Sequence, residues 1–150
     1  MRKLLVFLGA AWIAANLAGA VLATSNKRPY DLSFLSTPGK STRIGQDFLF
    51  GWGTGLSLPL GVLAAAGILT VVASFGHQAG RIAAFLLMLV GAGSIAFTFS
   101  NQLTYDRIGV NDNRDFPGET ATITATLLLA AMLVFFGFLT VLTTPRHHRH

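Results

Sequence analysis

Residues 121–142 read ATITATLLLAAMLVFFGFLTVL, a stretch without one charged side chain. As an α-helix it would rise about 33 Å, and the hydrocarbon core of a bilayer is about 30 Å thick. Backbone amides in hydrocarbon have no water to bind, so a crossing segment must pair them internally as a helix or within a closed barrel. Barrel strands alternate apolar with polar residues over about ten positions. Only Thr120, Thr122, Thr124 and Thr126 alternate in that way, and they merely open the run. The stretch therefore predicts a membrane helix.

Three further runs follow the same rule toward the N-terminus. Residues 82–100 read IAAFLLMLVGAGSIAFTFS, and the apolar character reaches about position 101. A second run lies between Asp47 and His77, with a predicted span over 54–75. The first, 4–23, reads LLVFLGAAWIAANLAGAVLA. Arg2, Lys3 and the Ala18-Gly19-Ala20 triplet also suit a cleaved signal peptide, which would leave three spans. The run exceeds the usual signal core of about 7–15 residues, so it is read as a retained helix. The expected fold is an all-α, four-helix antiparallel transmembrane bundle, forming one domain over 1–150 with spans near 4–23, 54–75, 82–101 and 121–142.

Composition agrees. Apolar residues make up 52% and charged residues 11%, against about 25% charged in average soluble domains. The net charge of +5 would suggest nucleic acid in a soluble protein, but these cations flank apolar runs and form no continuous patch. The expected partner is the lipid bilayer, with other membrane proteins or further copies of the chain, and no nucleic acid. Without cysteine, thiolate catalysis and cysteine metal sites are excluded.

Connections set the topology. Gly76-His77-Gln78-Ala79-Gly80-Arg81 is a tight turn joining the second and third spans. The 24–47 and 101–119 connections are longer. Counting Lys and Arg does not orient the chain, because the two sides carry five and six. The basic flank of the first span favours cytoplasmic termini, with the two long loops extracytoplasmic in a bacterial inner membrane.

None of the four runs contains Asp, Glu, Lys, Arg or His. Such residues usually mark proton and ion paths inside a membrane. Asn16 is the strongly polar side chain of the first span and is read as an interhelical hydrogen-bonding group. Ala11, Ala15, Gly19 and Ala23 recur every four positions and form the expected helix-packing face. Leu5 and Val6 are expected off that face. Gly91 and Gly93 give the third span similar small-residue surfaces. Gly51-Trp52-Gly53-Thr54-Gly55 lacks the Lys and Ser/Thr of a phosphate loop. It reads as a bend, with Trp52 at the interface and Pro59 near the start of the helix that follows.

The outer loops hold the candidate ligand or headgroup residues Arg43, Asp47, Asp106 and Arg107. Arginine can clamp phosphate, and a carboxylate can act as a base. Residues 111–115 lack the glycine and glutamate of a calcium loop, and the tail histidines have no fixed metal spacing, so no metal and no cofactor are expected. The loops, one basic and one acidic, are expected to cap the bundle through Lys40 or Arg43 against Asp106, Asp112 or Asp115, with Phe34, Leu35, Phe48 and Phe116 as apolar anchors. The leading function is a non-enzymatic accessory or scaffold subunit. The alternatives are a transporter or channel for an uncharged or lipidic substrate, and an interfacial enzyme acting on lipid headgroups.

Overall fold

A computed structural model describes residues 1–26, 44–51, 53–75, 78–107 and 117–143, the side chains of 101–107 excepted. These residues form five helices and no strand: α1 Arg2–Ser25, α2 Ile44–Phe50, α3 Leu60–Ala73, α4 Gln78–Arg107 and α5 Glu119–Thr143. By length and composition, α1, the Gln78–Ser100 part of α4, and α5 can each cross a membrane. The apolar helix α3 is shorter, at 14 residues, or about 21 Å.

Each long helix is apolar around its whole circumference, but only one stripe of each is buried. On α1 that stripe is Leu5, Leu8, Gly9, Trp12, Asn16, Gly19, Ala20 and Ala23, spaced by three and four as a helix face requires. Phe7 and Val21 on α1, Ile68 and Val71 on α3, and Leu128, Phe135 and Phe138 on α5 point outward and are exposed. A soluble helix places charge on that outer face. Here it is hydrocarbon, which puts the chain in a membrane.

The helices meet in a cycle: α1 packs on α3 and α5, and α4 packs on the same two. Neighbours run antiparallel. Gly9 of α1 faces Thr70 of α3, while Gly19 faces Leu56 just before α3. Gly91 of α4 faces the Ala130 carbonyl of α5, and Gly137 of α5 faces that of Ala84. The principal core is Leu5, Leu8, Trp12, Leu63, Ala66, Leu87 and Leu133 with small alanines between them.

Two boundaries, one added helix and the burial of Leu5 differ from the sequence reading. The second run becomes helical at Leu60 instead of 54, because Thr54 and Ser57 form an isolated bridge and Pro59 occupies the N-cap with extended backbone. Proline tolerates that position, since its missing amide would have had no helical partner there. The third run continues as helix to Arg107, well past Ser100. The short helix α2 was not expected at all. Leu5, expected off the packing face, is fully buried: the buried stripe is centred on Trp12 and Asn16, and Leu5 falls on it two turns earlier.

Along α1 the closest approach to another segment's backbone is at Gly19, where a Cβ would stand 2.6 Å from the Leu56 carbonyl oxygen. Contacts of that kind are what small residues permit in membrane helices. Gly19→Leu should lower unfolding stability by about 1–3 kcal/mol, the usual cost of overpacking. Ala18→Leu, on the exposed side of α1, should cost less than about 0.5 kcal/mol. Equilibrium unfolding in mixed detergent compares the two.

Candidate functional site

Four of the buried polar side chains among the described residues, Asn16, Thr54, Ser57 and Ser94, gather where α1, residues 53–59 and α4 meet, and Thr70, Glu119, Thr126 and Thr140 lie apart from them. Gly53 has φ +101°, a conformation open to glycine and strained for most residues, and it turns the chain out of α2. Its amide and that of Gly51 both donate to the Asp47 carbonyl, each at 3.0 Å. Thr54 and Ser57 then pair through their backbones, the Thr54 amide donating at 2.8 Å and the Ser57 amide at 3.3 Å. Their hydroxyls also bond each other at 2.9 Å, and the Leu56 amide donates to Thr54 Oγ1 at 3.2 Å.

The next amide, of Leu58, has no helical partner. Asn16 supplies one: its Oδ1 accepts the Leu58 N–H at 3.1 Å, while its Nδ2 donates to the Trp12 carbonyl at 3.0 Å. Trp12 in turn donates from Nε1 to Ser94 Oγ of α4 at 3.3 Å. The chain Leu58–Asn16–Trp12–Ser94 thus joins three segments. Trp12, Asn16, Thr54, Ser57 and Ser94 are all essentially excluded from solvent. In that surrounding each unmade hydrogen bond would carry its full desolvation cost.

Beside this network lies an open cleft of about 510 Å³ between α3 and α4, with Leu58 and Val62 on one side and Val90, Gly93, Ser94 and Phe97 on the other. Gly93 is an exposed part of its lining, where an added Cβ would meet no atom within 4 Å. The cleft is apolar, with the Ser94 hydroxyl at its inner edge.

Thr126 of α5 is the exception to polar satisfaction. Its Oγ1 is the buried side-chain atom without a hydrogen-bond partner among the described residues. Thr70 and Thr140 instead return their hydroxyls to the carbonyl four residues earlier, each at 2.7 Å.

The sequence candidates are placed as follows. On α1, Gly19 and Ala23 are buried, and Ala11 and Ala15 are half-buried beside the stripe. Asp47 lies in α2 and is half-buried. Asp106 and Arg107 fall at the C-terminal end of α4, where side chains are not described. Arg43, Trp52, the 111–115 run and the histidine tail lie outside the described residues, as do the loop-cap contacts except Phe48, which packs half-buried on the core. Among the described residues no three His, Asp or Glu side chains gather as a metal site would require. Sequence reasoning singled out Asn16 but missed its partners. The signal was present for Trp12, which precedes Asn16 by one helical turn and so shares its face. Comparison with protein-family models, curated proteins and solved structures finds no match to this chain.

Two substitutions probe the network. Asn16→Leu keeps the number and branching of the side-chain heavy atoms but strands the Leu58 amide, and should destabilise by about 1–3 kcal/mol with faster hydrogen exchange at Leu58. Thr126→Val removes an unpaired hydroxyl at nearly constant shape, so it should be neutral or stabilise by up to about 1 kcal/mol. The same unfolding assay reads both.

Proposed function

We propose that this chain is a multi-pass protein of the bacterial inner membrane that crosses the bilayer four times as a four-helix antiparallel bundle, with both termini cytoplasmic and two longer loops outside. It acts as an accessory or scaffold subunit through helix packing and those loops. Residues 53–59 and α3 together make the second crossing, so the crossing is discontinuous. Irregular backbone at membrane depth is tolerated where protein buries it and satisfies its amides. The Asn16 bond to Leu58 supports that reading. So does depth: Asn16 stands seven residues before Ala23, about 10 Å along the axis of α1.

The observation that carries the functional reading is how the polar groups are used. Except for the Thr126 hydroxyl, the hydroxyls, amide and indole of this interior are taken up by one another or by nearby backbone groups, and the apolar runs bear no ionisable side chain. The exterior offers long apolar faces. Such a body presents surfaces for other membrane helices and few groups for chemistry. In mild detergent the chain should migrate within a larger assembly of fixed stoichiometry, and substitutions to bulky polar residues at Ile68 or Phe135 should release it. A monodisperse single chain unaffected by those changes would contradict a scaffold role. The cleft beside Gly93 favours a second reading, passage or binding of an uncharged or lipidic substrate. On that reading, flux through reconstituted vesicles falls on Gly93→Leu, which adds bulk to the cleft lining.

Topology has its own test in this cysteine-free chain. Single cysteines at Ser36 and Asn113 should react with an impermeant thiol reagent on intact cells, and one at Gln78 should react only after permeabilisation. Labelling of all three on intact cells would exclude four crossings, and the reverse pattern would invert the chain.

A further inference from the structure

Among the described residues the acidic residues lie at one end of the molecule and are missing from the other. The antiparallel contacts place the start of α1, the end of α3, the start of α4 and the end of α5 at one pole: Gly9 lies against Thr70, and Gly137 against Ala84. Arg2, Lys3 and Arg81 stand at that pole, and Arg146 and Arg149 follow α5 within six residues. No Asp or Glu occurs in residues 1–30, 60–105 or 120–150. Of the described acids, Asp47 in α2, Asp106 near the end of α4 and Glu119 at the start of α5 belong to the other pole, with Arg107 beside Asp106 in sequence. Among the described residues the pole of Arg2, Lys3 and Arg81 therefore carries only positive side chains.

We infer that this pole is a binding face for anionic phospholipid headgroups. This rests on the reading of the chain as a membrane-embedded bundle. Arg2 and Arg81 are half-buried and Lys3 is exposed, each at the end of an apolar helix, which is the level of the headgroups in a bilayer. Among the described residues no Asp or Glu at the pole competes for them. Guanidinium groups bind phosphate through paired N–H donors, and each basic residue near an anionic leaflet contributes about 1 kcal/mol of attraction. Among the described residues the opposite pole sets Asp47, Asp106 and Glu119 against Arg107, so it offers no net attraction. Nucleic acid fits less well, because the cations are spread around the rim of a bundle whose sides are apolar.

The test uses the full chain reconstituted in phosphatidylcholine vesicles with a trace of spin-labelled lipid. The motionally restricted fraction measures preference for phosphatidylglycerol over phosphatidylcholine at the protein surface. Wild type should prefer the anionic lipid about fivefold, the factor equivalent to one basic residue near the surface. About 1 M salt, with a Debye length near 3 Å, should abolish the preference. The triple variant Arg2→Gln, Lys3→Gln, Arg81→Gln should lose most of it, and Lys27→Gln, Arg28→Gln, Lys40→Gln should retain it. Equal binding of both lipids by wild type, equal loss in both variants, or displacement by a duplex oligonucleotide would overturn the inference. Failure of the chain to enter the vesicle fraction would instead overturn the membrane reading beneath it.

Discussion

A peptide N–H that leaves a helix inside an apolar body has to find another acceptor, and here the amide of Leu58 finds Asn16. The rest of the structure is arranged around that bond. Gly53 and Pro59 interrupt the second apolar run, so α3 starts late and is too short to cross hydrocarbon alone. The interrupted backbone must then lie against protein, and α1 receives it. Gly19 allows the Leu56 carbonyl to approach, and Asn16, one turn earlier, satisfies the following amide.

The same arrangement explains why a polar line runs through an otherwise apolar core. Association of membrane helices gains little from the hydrophobic effect and depends on packing and interhelical hydrogen bonds. In the α4–α5 contact, glycines on both helices meet backbone carbonyls of the other. The α1–α4 diagonal has no comparable packing and is joined by the Trp12 indole reaching Ser94. Close backbone contact and a few buried hydrogen bonds thus divide the work between neighbouring and opposite helices.

Much of this was legible in the sequence. Uncharged runs of the right length located α1, α4 and α5, and the lone asparagine of the first run proved to join two segments. The late start of α3 was harder to read. Its apolar run continues through Gly55, Leu56, Ser57 and Leu58 with no charge to mark the break, and the turn follows from Gly53 and the Thr54–Ser57 pairing. Small residues were legible as a packing surface, but spacing alone could not tell the stripe through Trp12 and Asn16 from the ladders beside it. Ala11, Ala15, Gly19 and Ala23 form one of several four-residue series on α1, and which series faces inward depends on where the partner helices sit. The candidate residues Arg43, Asp47, Asp106 and Arg107 could be chosen only by their nearness to one membrane face, since loop charges carry no period.

A four-crossing bundle requires α3 to lie within the bilayer despite its length. Ile68, near its middle, points outward. A spin label at position 68, with one at Phe75 for comparison, would report access to oxygen, which concentrates in hydrocarbon, and to a water-soluble nickel chelate. In reconstituted vesicles the account predicts strong oxygen and weak nickel relaxation at 68, with the balance shifted toward nickel at 75. Nickel access at 68 equal to that at 75 would place α3 outside the membrane and contradict it.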